Sequence, residues 1–556
     1  MLSDPTKTLR VRICYQGSDN RVPEFYRTMP LKDTEPVGDQ LRKELPFWTP
    51  PNPVLLDLPP GTGKTSFVYK TLIPEALARG ENLLLVSNRV ALSSQQKRAV
   101  MEQLQSPLLK TLTDEGVRQT EDFGPVRVIT YHRLPALLKD QNSAAWRANL
   151  AFVIFDEAHF FAADSLFNAG AEYCLRLASE RFCHAVRIYM TGTSWDILEP
   201  LAEAEEAFYH RHTFYLQWTP LRECFRYTIP ADYSRFRLRW FSELNDLKKP
   251  IGARPEERWL IFVDSKKQGQ TFAQDLGSCA AYLDADSKGS DTWNRIVREE
   301  RFSQQVLVTT PALDAGINIV DSSLRNVAVI TDNRTALLQM AGRKRMRGDE
   351  QVNLWVCNPP ATLAHRYRQY SQWLEWFDRL DKCRSPEQHQ ALMEQLWRED
   401  DPGLRNLFRL SRGKIFPNTL ARHVLRRRCF LFERVLRGET TFKREVELWL
   451  GMDPDATGAV AALHGFYAEH GEQALDEALQ ENLRQLVNTC YAEAGYKDPQ
   501  PTRSTRLKDR ALTNRLYKIG LPYEICTQVN TWVLHKSIPM SKTHSKGGRA
   551  DEGSDQ

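Results

Sequence analysis

Two doubly wound α/β domains in tandem, followed by an α-helical domain, are what this sequence predicts, and three observations predict it. Short apolar runs alternate with helix-compatible stretches from about residue 50 to Asn358, the pattern of parallel strands joined by helical crossovers. The run Ala151-Phe152-Val153-Ile154-Phe155 is apolar without interruption, as a strand covered on both faces must be. Beyond Asn358-Pro359-Pro360 the periodicity turns helical, with long stretches such as Glu387 to Arg398 and Gln473 to Tyr491. A balance of 26% charged and 42% hydrophobic residues over 556 positions is that of an ordinary globular chain with more than one core.

In chain order, residues 1–48 have weak periodicity and several prolines and are expected to form an N-terminal extension. The first α/β domain, 49–222, has strands expected at Val54 to Leu58, Leu83 to Ser87, Val126 to Thr130, Ala151 to Phe155 and Val186 to Met190. The second, 223–360, has them at Trp259 to Val263, Gln305 to Thr309, Val327 to Thr331 and Val352 to Val356. A helical accessory domain is expected over 361–540, and the polar, Gly/Ser-rich end 541–556 as a disordered tail. The ten cysteines are scattered singly, without ligand spacing for zinc or an iron–sulfur cluster, so reduced thiols and a cytoplasmic setting are expected. No apolar run is long enough to cross a bilayer, so no membrane partner is expected. The net charge of +5 is too small to identify a nucleic-acid binder.

The chemistry begins at Leu58-Pro59-Pro60-Gly61-Thr62-Gly63-Lys64-Thr65, a glycine-rich turn after an apolar strand and before a helix. Here Pro60, Gly61, Thr62 and Gly63 shape a loop whose backbone N–H groups close around the β- and γ-phosphates. Lys64 neutralises them, and the Thr65 hydroxyl is placed to hold Mg²⁺. The strand Ala151 to Phe155 ends in Asp156-Glu157-Ala158-His159, and carboxylates at the C-terminal end of such a strand face the ligand crevice. Asp156 is expected to hold Mg²⁺ through its water shell. Glu157 is expected to orient and deprotonate the water that attacks the γ-phosphate. ATP and Mg²⁺ are the expected cofactors.

Over roughly residues 50 to 360 these motifs, with others in collinear order, resemble the DEAH-type superfamily two helicases. The resemblance implies two RecA-like domains with ATP hydrolysed in the cleft between them. Gln339-Met340-Ala341-Gly342-Arg343-Lys344-Arg345-Met346-Arg347 looks like the family's Q-x-x-G-R-x-x-R motif. It implies that Gln339 contacts the nucleotide and that Arg343 is an arginine finger, a group that contributes roughly 10³ to 10⁵ in rate. Met346 stands at the second arginine position; of its neighbours Arg345 is favoured over Arg347. Asn88 and Arg89 resemble motif Ia, Thr130 and Tyr131 motif Ib, Ser265 part of motif IV, and Thr310 part of motif V. All six are implied to touch a nucleic-acid strand. Gly316 and Asn318, also in motif V, are implied near the nucleotide, with Asn318 where the family usually has Asp.

Thr191-Gly192-Thr193 resembles the S/T-A-T coupling motif, and His159 joins Thr191 and Thr193 in the implied coupling between ATP state and grip. The implied function is an ATP-dependent helicase or translocase gripping one strand by its backbone, with DNA favoured over RNA. The alternative is an ATPase switch that clamps nucleic acid, or a protein partner through the C-terminal domain, without unwinding. Arg235, Arg237 and Arg239, interleaved with Phe236, Trp240 and Phe241, suit either base stacking or a packed strand. Arg422 to Arg428 suits either a nucleic-acid path or a solvated basic face. Leu507 to Leu534 has the flavour of a small helical DNA-binding unit.

Overall fold

The structure, a computed structural model, describes residues 23, 25–87, 90–168, 170–212, 223–287, 290–311, 318–358, 362–411, 414–452, 458–493, 509–518, 521, 523–528 and 531–536. The chain divides into two compact units. One is built from residues up to Ala231 together with Trp373–Arg426, the other from Asp232–Leu313, Asn318–Gln372 and Arg427 onward.

The first unit is organised by seven strands: β1 (Tyr26–Pro30), β2 (Val54–Asp57), β3 (Asn82–Ser87), β4 (Val126–Thr130), β5 (Leu150–Phe155), β6 (Val186–Thr191) and β7 (Cys224–Thr228). Their order is β1-β7-β2-β6-β5-β3-β4, and every pairing is parallel. Strands β5 and β6 are buried along their whole length, because helices cover both faces of a parallel sheet. The segment expected to be an extension supplies β1, and Val37, Leu41, Leu45 and Trp48 from its helical part enter the core with β2. Trp48 Nε1 donates to Tyr227 Oη at 2.9 Å. Strand β7 lies inside this sheet between β1 and β2, so the expected boundary at 222/223 moves to about 231. Sequence reading passed over β1 and β7 because each carries arginine and threonine in a short run, with neither unbroken apolarity nor clean alternation.

The second unit has a six-stranded sheet: β8 (Phe236–Phe241), β9 (Arg258–Phe262), β10 (Ala280–Leu283), β11 (Val306–Thr309), β12 (Leu324–Val329) and β13 (Val352–Cys357). The order is β10-β11-β9-β12-β13-β8, again parallel throughout. The four expected strands form its middle, and β8 and β10 are the added edges. Strand β8 is the Arg/aromatic stretch: Phe236 and Phe241 are buried while Arg237 and Arg239 are exposed.

The region 361–540 is neither one domain nor wholly helical. The hairpin of β14 (Phe408–Ser411) and β15 (Lys414–Pro417) belongs to the first unit. There Asn418 Nδ2 donates to Ser165 O at 2.9 Å, and Thr419 N to Glu172 at 3.0 Å. In the second unit, helices Gly458–His470, Glu477–Glu493 and Asp509–Lys518 accompany a small antiparallel sheet of β16 (Ala474–Leu475), β17 (Tyr523–Gln528) and β18 (Thr531–Lys536). Apolar runs as short as Trp532 to Leu534 read equally as helix or strand. The expected tail 541–556 lies outside the described residues.

Two charge clusters fasten the first unit. Arg187 and Glu205, both with 0% side-chain exposure, pair bidentately at 2.9 and 2.8 Å. Tyr189 also donates to Glu205 and Pro50 O accepts from Arg187, each at 2.9 Å. In the basic run, Arg422 is bound to Asp378 and Asp381, and His423 lies 2.8 Å from Glu203 and 3.7 Å from Glu199. Burial alone depresses the His423 pKa, but hydrogen bonds to Glu199 and Glu203 outweigh it and raise it to about 9. Breaking the first cluster by Glu205→Ala strands a buried guanidinium and is expected to lower unfolding free energy by about 3–5 kcal/mol, whereas the double change Arg187→Met, Glu205→Leu is expected to lose far less; denaturant unfolding measures both. The His423 contribution, roughly 1–3 kcal/mol because Glu203 is half exposed, is present in full below about pH 6.5 and is lost as pH rises through about 9. The melting temperature is expected to fall over that window, and His423→Gln to flatten the fall.

Candidate active site

Parallel pairing brings the C-terminal ends of the first unit's strands to one edge, and its functional loops leave from there. After β2, Gly61 and Gly63 have φ of +87° and +93°, a region open to glycine at little cost. No atom lies within 4 Å of where a Cβ would stand on either. The loop is therefore an open cradle with its backbone accessible. Thr62 Oγ1 donates to Pro59 O at 2.8 Å, and Lys64 Nζ to the carbonyls of Leu58 and Pro59 at 2.5 and 3.1 Å. The ammonium is thus held within the turn. A helix starts at Lys64, and Thr65 is exposed on its first turn.

Backbone bonds tie this loop to its neighbours. Leu58 N donates to Thr191 O, Asp156 N to Val86 O and Ala158 N to Met190 O, at 2.9, 2.9 and 2.8 Å. Asp156 is buried, and its carboxylate accepts from Glu157 N at 3.0 Å and Gln96 Nε2 at 2.5 Å. Burial, then the charge of Glu157, pushes its pKa well above the ordinary carboxylate range, against the pull of Lys64 and His159. Glu157 has φ of +52°, a left-handed conformation that is strained for a side chain this size and typical of functional turns. Nδ1 of buried His159 lies 3.3 Å from Glu157 Oε2 and 3.1 Å from Thr191 Oγ1, which accepts from Thr193 N at 3.0 Å. The single atom Nδ1 of His159 thus stands within 3.3 Å of both the Glu157 carboxylate and the Thr191 hydroxyl, which puts the Asp-Glu-Ala-His turn beside the Thr191–Thr193 loop.

Several participants were not visible in the sequence. Gln96, on helix Val90–Gln103, had no motif to mark it. Asp57, at the end of β2, is held by Ser194 Oγ at 2.7 Å and Arg226 Nε at 3.1 Å, and Arg226 sits on the unexpected strand β7. Gly192, which departs from the family's alanine, now has a reason: a Cβ there would stand 3.0 Å from Pro60 Cδ and 3.2 Å from Leu58 O. The close approach of the Thr191–Thr193 loop to the Leu58–Pro60 turn favours glycine, since a Cβ would need its neighbours to give by a few tenths of an ångström.

Of the expected nucleic-acid residues, Asn88 and Arg89 lie outside the described residues. Thr130 is half-buried at the end of β4. Tyr131 is buried and its hydroxyl is bound to Asp164, so its side chain braces the loop and does not face a strand. In the second unit Ser265 accepts from Gln268 N at 3.3 Å and caps helix Lys266–Leu276, and Thr310 is buried.

The Gln339 to Arg347 stretch ends a helix, Arg334–Ala341. Arg343 donates to Gln339 Oε1 at 2.9 Å and to Gln339 O at 3.2 Å. Arg345 Nε donates to Asn318 Oδ1 at 2.9 Å, and Ile319 bridges in parallel to Lys344. The two motif segments are therefore joined side by side. Gly316 lies outside the described residues. Lys344 is buried on Asp321 O and Glu350 at 2.8 Å each, a structural lysine that a run of basic residues conceals, whereas Arg347 is exposed.

Residues 35–195 match the family model described as "Type III restriction enzyme, res subunit", a span that holds the phosphate loop, the Asp-Glu-Ala-His turn and the coupling motif. That match covers less than a third of the chain and lies within the first unit. Among solved structures the chain is similar to S. cerevisiae Dbp5 bound to RNA and ADP BeF3 (15% identity, 55% of this chain and 78% of that one, TM-score 0.37). It is also similar to the DUF1998 helicase MrfA bound to DNA and AMPPNP (14%, 63% and 54%, TM-score 0.41) and to T. fusca Cas3 with AMPPNP (15%, 76% and 55%, TM-score 0.46). Identities and TM-scores this low carry no functional argument. No curated protein matches the chain.

The residues at this edge of the first sheet fit a Mg²⁺-nucleotide. The open cradle at Gly61 and Gly63 exposes the backbone that phosphates need, and a buried carboxylate that resists ionisation gains from a divalent cation beside it. Thr65 and Asp156 would supply oxygen donors to such a cation, which would neutralise charge on the phosphates. Among the described residues, no helix is long and apolar enough to cross a membrane. Gly192→Ala is expected to push the coupling loop off the phosphate loop, lowering stability by about 1–3 kcal/mol and weakening ATP binding. Thermal melting and nucleotide titration measure this, and wild-type values in both would mean that the loops do not depend on this contact.

Proposed function

We propose that the chain is a DEAH-type motor that moves along a nucleic-acid strand, DNA in preference to RNA, by coupling ATP state to backbone grip. In this reading Lys64 and the turn Pro60-Gly61-Thr62-Gly63 bind the phosphates, Glu157 activates the attacking water, and Arg343 acts as the finger on the γ-phosphate, with Gln339 orienting it. Arg345, bound to Asn318, takes the place of the displaced second arginine. Thr130, Ser265 and the motif residues Asn88 and Arg89 grip phosphates, while Tyr131 and Thr310 shape the loops that do so. The region beyond residue 361 would take a protein partner, and its cysteines, thiols outside any disulfide among the described residues, suit the reducing cytoplasm.

The observation that carries this reading is the set of contacts Glu157–His159–Thr191–Thr193. A residue that serves only hydrolysis needs no buried imidazole joining it to the next loop. A change at the γ-phosphate that moves Glu157 moves Thr191 through His159, and that is what a motor needs to convert hydrolysis into altered grip.

Steady-state ATP hydrolysis with single- and double-stranded DNA and RNA at two salt concentrations tests it. Stimulation by DNA that weakens with salt is expected, since grip is through phosphates. Lys64→Ala is expected to abolish turnover, Glu157→Gln to retain ATP without hydrolysing it, and Arg343→Ala to cut turnover by roughly 10³ or more with ATP affinity nearly unchanged. Normal hydrolysis by Arg343→Ala would overturn the assignment of the finger, and ATP-dependent binding without strand displacement or movement would convert the motor into a clamp.

A further inference from the structure

The end of the second unit has a chain order and a sheet order that together define a familiar shape. Helix Gly458–His470, strand β16, helix Glu477–Glu493, helix Asp509–Lys518 and the hairpin β17–β18 follow one another, and the sheet runs β16-β18-β17. Leu463, Leu483, Val487, Leu512, Leu516 and Leu534 close a core of their own beneath it. This is a winged-helix arrangement, in which the third helix stands beside a two-stranded wing.

The third helix is held on two sides. Thr513 Oγ1 accepts from Ile525 N at 2.8 Å and donates to Ile525 O, which fixes the helix on β17. Asp509 accepts from Thr527 near the wing. Arg515 donates to Asn488 at 2.6 Å and lies over the Tyr491 ring at 4.8 Å, which fixes the helix on Glu477–Glu493. The remaining face carries Arg510 and Asn514, one turn apart and both exposed. From Arg503 to Lys518 the sequence has Arg503, Arg506, Lys508, Arg510, Arg515 and Lys518 against the single acid Asp509. A rigidly held helix with an Arg and an Asn on its open face, in a basic stretch, has the chemistry for phosphate and base-edge contact.

We propose that this winged-helix unit is a second, duplex-binding site: Arg510 and Asn514 enter the major groove of B-form DNA and the β17–β18 hairpin lies along the adjoining backbone. The groove decides the polymer. The major groove of B-DNA, about 12 Å wide, admits a helix, whereas that of A-form RNA is too deep and narrow for side chains to read. The proposal deepens the motor reading by naming what the C-terminal region holds, namely the double-stranded part of the substrate.

The test uses the full-length protein without nucleotide and a fluorescently labelled DNA duplex, with an RNA duplex of the same sequence beside it. Arg510→Glu is expected to weaken DNA-duplex binding by about tenfold or more and to reduce the salt dependence by about one ion. Asn514→Lys is expected to tighten binding several-fold, a gain that misfolding cannot produce. ATP hydrolysis stimulated by single-stranded DNA is expected to stay at the wild-type rate in both. Unchanged duplex affinity in both variants, or an RNA duplex bound as tightly as DNA, overturns the proposal and marks the face as a protein contact. Wild-type ATPase insensitive to every nucleic acid would instead sink the motor reading, while the duplex measurement still reports on this site.

Discussion

Parallel strand pairing in one register is the constraint on which the active site depends. Asp57 at the end of β2 pairs with Thr191 at the end of β6 and with Thr228 of β7. Phe155, next to Asp156, pairs with Tyr189 and with Val86. The phosphate loop, the Asp-Glu-Ala-His turn and the coupling loop therefore leave the sheet at the same level. The three backbone bonds Leu58 to Thr191, Asp156 to Val86 and Ala158 to Met190 prolong that register into the loops. A slip of one residue would reverse every side chain on a strand and part the catalytic groups.

On that frame the charges are arranged against their own preference. Asp156 is buried and resists ionisation, Glu157 sits in a left-handed turn, and Lys64 is folded onto carbonyl oxygens. A divalent cation beside Asp156 would relieve the first of these. Such local strain persists only where the surroundings over-determine it. The buried Arg187–Glu205 pair behind β6 and the Asp57–Arg226 pair across β2 and β7 supply that rigidity. The same logic explains Gly192, where the requirement is space and not chemistry.

The second unit repeats the parallel-sheet plan without a phosphate loop. Its run of basic residues divides by burial into different tasks: Arg343 is ordered by Gln339, Arg345 by Asn318, Lys344 is consumed by Glu350 and Asp321, and Arg347 faces solvent. Beyond it the chain returns residues 373–426 to the first unit before completing the second. The accessory region is thus shared between the two units, and a winged-helix unit with its own core closes the chain.

By itself the sequence determined the elements whose physics is local. A glycine-rich turn between an apolar run and a helix, a wholly apolar strand ending in two carboxylates, and nine of the thirteen strands of the two parallel sheets all announce themselves within a few residues. What only the tertiary structure decided is what depends on partners distant in the chain. Strands β1, β7, β8 and β10 are held in place by neighbours and carry no apolar signature strong enough to be read alone. The pairing of Gln96 with Asp156, the burial of Tyr131, Thr310 and Lys344, the reason for glycine at 192 and the winged-helix order of the last six elements all arise from packing. The cause is the same in each: chemistry at a motif is written in adjacent residues, whereas burial, register and space are set by residues that meet only after the chain has folded.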